Sequence, residues 1–115
     1  MNIAESIYSL TSDFPKHEVY GLTSQIRRAA VSVPANIAEG NARNSTKDYL
    51  RFLAIAVGSL AEVETFVDLS QRLGYASSEQ VHSLIDLIAE ERRMLRGLQR
   101  SLRAKLGSPS DISDL

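Results

Sequence analysis

The sequence predicts an all-α chain folded as an antiparallel, up-down-up-down four-helix bundle. Three observations lead there. Apolar residues recur at spacings of three and four in four separate segments. Start and stop residues bracket those segments: serines precede two of them and glycines follow three. The connections are short, so consecutive helices must lie antiparallel. At 115 residues the chain makes one domain, able to bury a core of its own.

The first helix is expected from Ile3 to Asp13, with Ile3, Ile7 and Leu10 on its inner face. Phe14-Pro15 ends it, because proline disfavours a helical residue before it. The second covers Leu22 to Glu39, with Gly40 as its C-cap. Its inner stripe is Ile26, Ala29, Ala30, Val33 and Ile37. Pro34 removes one backbone hydrogen bond there and predicts a bend. Ser45 caps the third helix, with Asp48 in a capping-box-like position. That helix runs to Leu73, and Gly74 closes it. Ser77 and Gln80 form an S-x-x-Q capping box for the fourth, from Ser78 to Leu106, where Gly107 stops it. Residues 1–106 form the bundle, and 107–115, ending SPSDISDL, form a flexible tail.

The middle helices are apolar on two sides. Tyr49, Phe52, Leu53, Ala56, Leu60, Val63 and Val67 make the core stripe of the third. Leu50, Ala54, Val57, Gly58 and Ala61 lie on its other side and are also small or apolar. On the second helix, Val31, Ala35 and Ala38 sit away from the core stripe. A helix apolar nearly all round belongs buried on both sides. These second faces are candidate subunit interfaces; the alternative is internal cover by the first helix or by bent packing.

The fourth helix carries Arg92, Arg93, Arg96, Arg100 and Arg103 within an arc of about 100°. Leu95, Leu98, Leu102 and Leu106 run beside that arc. Arginine binds phosphate through a planar fork and stays charged. The row could follow a nucleic-acid backbone, or it could simply favour the helix dipole and solubility. No aromatic residue accompanies it, so base stacking is not expected. A second basic group is Arg27, Arg28, Arg43, Lys47 and Arg51. It could bind phosphate or pair internally with Glu39, Glu62 or Glu64.

Ser32, Asn36 and Glu39 surround Pro34 and predict a side-chain network there. Glu91 falls near the apolar arc of the fourth helix, as the partner of an arginine across the bundle or an interface, or as a buried, proton-sensitive acid. No enzyme signature emerges. The chain has no cysteine, no phosphate-binding glycine loop and no H-E-x-x-H. Glu79 and His82 give one Glu-x-x-His match where a di-iron bundle needs two. His82 and Asp86 with nearby serines form a triple frequent on helices by chance. Gly58-Ser59 follows no strand, so it is no nucleophile elbow. The expectation is no cofactor and no metal. No basic leader and no apolar run of membrane-spanning length is present, and the composition suits the cytoplasm.

The stretches QIRRAAVSVPANIAEG (residues 25–40) and RFLAIAVGSLAEVET (residues 51–65) carry a resemblance. They resemble the small bacterial four-helix-bundle family named after reading frames inside intervening sequences of 23S ribosomal RNA. A diversity-generating retroelement accessory protein, which assists a reverse transcriptase, belongs to that family. The resemblance implies a homopentameric ring and raises the prospect of contact with RNA or DNA. The resulting expectation is a non-enzymatic oligomeric adaptor that binds nucleic acid through its arginine-rich faces. The alternative is a protein–protein assembly module without a nucleic-acid role.

Overall fold

The computed structural model of the protein describes residues 2–107. Four helices, α1 (Ile3–Thr11), α2 (Leu22–Asn41), α3 (Thr46–Arg72) and α4 (Ser78–Leu106), follow one another, with a single 3₁₀ turn at Lys16–Glu18. No strand occurs among the described residues. The body measures 54 × 24 × 20 Å. α2 packs most closely on α3, α3 on α4, and α1 closes the bundle against α2 and α4.

Each helix starts where a side chain satisfies its free N–H groups. Asn2 and Glu5 form a reciprocal capping box on α1. Ser77 and Gln80 do the same on α4, as their spacing predicts. Ser45 accepts from the Asp48 N–H at 3.0 Å. Asp48 does not complete the box; its carboxylate meets Arg51 instead. α2 has no capping side chain at Gly21, but Glu18 Oε1 accepts the Leu22 N–H at 3.0 Å.

Two boundaries differ from expectation. α1 stops at Thr11 rather than Asp13. The Thr11 hydroxyl donates back to the Ile7 carbonyl and accepts from Arg27 Nε at 2.7 Å, so the chain turns there. α2 continues through Gly40 to Asn41. Gly40 is therefore not a cap: it is buried where α2 crosses the start of α3. α3 ends at Arg72, and Gly74 takes the left-handed conformation, φ 78°. That conformation lets the Tyr75 N–H bond back to the Ser70 carbonyl at 2.9 Å. Gly107 is the C-cap of α4 as expected, and residues 108–115, assigned to the tail, lie outside the described residues.

The core draws on all four helices. Ile7, Ile26, Val33, Leu53, Leu60, Ile88 and Leu95 are almost fully buried. Ile37, Tyr49, Phe52, Leu98, Leu102 and Leu106 are only half-buried. The cause is the length of α1. Its nine residues span about 14 Å, so it lies beside one half of its much longer neighbours.

α2 runs unbroken through Pro34. Beside it, the predicted network forms between α2 and α3. Asn36 Nδ2 donates to the Ser32 carbonyl at 2.8 Å and to Ser32 Oγ at 2.9 Å. Ser32 Oγ in turn meets Ser59 Oγ at 2.8 Å. Ser59 is buried rather than part of the outer face. Glu39 stands outside this network and pairs with Arg43.

Candidate nucleic-acid interface

Two α4 contacts set the arginine row in place. Arg92 Nη2 donates to Glu64 Oε1 of α3 at 2.7 Å. This fixes which flank of α4 faces α3. Arg96 and Arg103, one and three turns further on, share that flank. Arg96 Nη1 donates to Gln99 Oε1 at 3.1 Å. Gln99 is only 2% exposed, so a buried amide orients an exposed guanidinium.

Arg93, Arg96, Arg100 and Arg103 are exposed, and none has a carboxylate partner among the described residues. Arg92 is the exception within the row. Gln99 and Glu64 are the residues that spacing alone did not assign to the row. A buried glutamine one turn from an arginine was the available signal for the first. The second depends on the register of α3 against α4.

The second basic group divides. Arg27 is held inside the chain: its guanidinium lies 4.5 Å from the centre of the Tyr8 ring and bonds Thr11. Arg43 pairs with Glu39 and Arg51 with Asp48, both local and exposed. Arg43 and Arg51 also stack on Phe52, at 5.0 and 4.5 Å from its ring centre. Arg28 and Lys47 are exposed without a carboxylate partner among the described residues. Of the acids expected to neutralise this group, Glu39 does so for Arg43, and Glu64 serves Arg92 instead.

The outer faces of α2 and α3 are uncovered. Val31, Ala35 and Ala38 on α2, and Ala54, Gly58 and Ala61 on α3, are exposed. Leu50 and Val57 are half-buried at the flank of α3. Ile55 and Leu69 extend the exposed apolar surface. A methyl group on Gly58 would meet nothing within 4 Å. Neither α1 nor bent packing covers these residues within the chain.

Glu91 has no ion-pair partner among the described residues, so it does not pair with an arginine across the bundle. It lines a surface groove with Asn2, Ile3, Leu87, Glu90 and Met94. Burial, and then the nearby Glu90 charge, raise its pKa above the ordinary carboxylate range. Glu79 faces solvent, and His82 meets only Asp86, at 3.5 Å and well exposed. Among the described residues no group of three or more His, Asp or Glu side chains could hold a metal ion. None of their helices is long and apolar enough to cross a membrane.

Comparison with known proteins agrees with this architecture. A crystal structure of a protein of unknown function from the S23 ribosomal protein family of Bacteroides thetaiotaomicron superposes with a TM-score of 0.78. The two are 26% identical, over 84% of this chain and 91% of the other. Among curated proteins none matches. The model of the 23S rRNA-intervening sequence protein family matches residues 1–97. With its four helices, their caps and their stretch of shared sequence accounted for, the chain belongs to the 23S rRNA-intervening sequence protein family.

Proposed function

We propose that the protein is a non-enzymatic, homo-oligomeric adaptor that holds RNA or DNA by its phosphate backbone. The observation that carries this reading is the row Arg93, Arg96, Arg100 and Arg103: exposed, regularly spaced and free of carboxylate partners among the described residues. A protein needing only solubility gains as much from mixed charges. The row reads charge and not base sequence, because it offers no aromatic platform. The uncovered faces of α2 and α3 support self-association, which would repeat the row around a ring. The family resemblance sets five as the expected number of copies, and a reverse transcriptase as a candidate protein partner.

Binding of labelled duplex RNA and DNA across a salt series tests the reading. The expected affinity falls steeply with salt and drops when Arg93, Arg96 and Arg100 become Ala. Absence of binding at low salt would leave the second reading, a pure assembly module. That alternative draws on the same exposed faces. Light scattering tests the assembly: a ring of five would have five times the 12.7 kDa mass of the chain.

A further inference from the structure

The topology of the bundle sorts its charges along the long axis. Ser32 meets Ser59, and Arg92 meets Glu64 about 7.5 Å further along α3, so these contacts mark the middle of the bundle across α2, α3 and α4. On one side of that middle lie residues 33–58 and 92–107, with nine Lys and Arg against two acids, Glu39 and Asp48. On the other side lie residues 2–32 and 59–91, with four basic residues against ten acidic ones. The formal charges of the two halves are +7 and −6, within a body 54 Å long. These sum to +1; Asp111 and Asp114, outside the described residues, bring the whole chain to −1, a total that conceals the separation.

At the positive pole, the α2–α3 turn and the last turns of α4 lie toward the same end of the antiparallel bundle. Two basic groups that are distant in sequence therefore share one end of the molecule. Phe52 carries the guanidinium groups of both Arg43 and Arg51 on its ring. A guanidinium held over a ring keeps N–H groups available to a further acceptor. Its carboxylate partners do not prevent this. The Glu39 and Asp48 side chains are 51% and 45% exposed, and such surface pairs are weak. Lys47 adds a third cation, with no carboxylate partner among the described residues.

We propose that a phosphodiester backbone is held at this one end of the bundle. Arg43, Lys47 and Arg51 of the α2–α3 turn form a joint surface with Arg100 and Arg103 of α4. Phe52 is a positioning residue for two of them. This rests on the nucleic-acid reading above and narrows it: Arg27 and Arg28, in the negative half, take no part. A field of one sign at one pole also orients the rod as it approaches a polyanion.

The test compares wild type with K47A/R51A, R100A/R103A, F52L and R28A. Each binds the same labelled duplex RNA, and separately duplex DNA of the same sequence, from low to moderate salt. The two double variants should each weaken binding about tenfold and lower the slope of log affinity against log salt by about two. F52L should weaken binding several-fold at an unchanged slope, since it keeps the charges and loses their placement. Thermal unfolding of each variant separates this from loss of fold. R28A should bind as wild type does. An effect confined to R100A/R103A overturns the joint surface but keeps the nucleic-acid reading. So does R28A proving as damaging as K47A/R51A. No binding by wild type at low salt overturns both.

Discussion

Gly40 of α2 lies against Phe52 of α3 so closely that a methyl group on Gly40 would stand 2.9 Å from the Phe52 Cβ. The same methyl would stand 2.8 Å from a ring carbon of Tyr49 and 3.2 Å from its carbonyl oxygen. Two of these three neighbours belong to the backbone or its first side-chain atom and cannot swing away. Gly40→Ala should therefore destabilise the protein by about 1–3 kcal/mol through overpacking. The better helix propensity of alanine offsets up to about 1 kcal/mol of this. A chemical denaturation midpoint at or above that of wild type would refute the close crossing.

Gly58 presents the opposite case. Nothing in the chain approaches its missing Cβ, yet glycine inside a helix costs about 1 kcal/mol. Gly58→Ala should stabilise the isolated chain by about that amount and weaken the self-association proposed above. Light scattering over a dilution series reads the second effect. An unchanged mass with raised stability would show that the outer face of α3 is not a close helix–helix contact.

Glu91 should set part of the pH dependence. Its raised pKa means that the folded state binds its proton more tightly than the unfolded state does. Stability from this group is thus greatest in acid and falls as pH climbs past its folded pKa. Glu91→Gln should raise the melting temperature near neutral pH. The gain should vanish below about pH 4, where the wild-type carboxyl is protonated in both states. A gain that persists in acid would point to packing instead.

Tyr75 ties the two connections at the far end together. Its hydroxyl donates to Glu18 Oε2 at 2.9 Å, and its ring packs on Phe14 at 5.4 Å between centres. The Leu22 N–H, then this hydroxyl, hold the Glu18 pKa below its ordinary value. A lowered carboxylate pKa contributes stability at neutral pH that is lost as pH falls through it. Tyr75→Phe keeps the ring and removes one donor. It should lower the melting temperature at neutral pH, with a difference that shrinks in acid. A pH-independent difference would mean that the hydroxyl acts elsewhere.

Local chemistry in the sequence was enough to read the four helices. Ser77 with Gln80 marks a helix start wherever it occurs, and the inner stripes follow from spacing alone. Gly40 misled because a glycine followed by GNARN-type polar residues usually ends a helix. Gly40 is there because Tyr49 and Phe52 pack too closely across from it to leave room for a Cβ, which no local pattern encodes. The interface was legible in the same uneven way. The α4 row and the uncovered small residues could be read from helical geometry. The holding of Arg27 by Tyr8 and Thr11 could not, because it depends on how α1 docks. Nor could the pairing of Arg92 with Glu64, which are 28 positions apart, since it arises only when the bundle closes.

The separation of charge toward opposite ends should govern how the purified protein behaves in dilute buffer. Screening reaches about 10 Å at 0.1 M salt, far less than the 54 Å length of the molecule. Without salt, the cationic tip of one particle attracts the anionic tip of another, and end-to-end clustering follows. Added sodium chloride should then clarify the solution rather than precipitate it, a salting-in response set by the dipole of the molecule and unopposed by its small net charge.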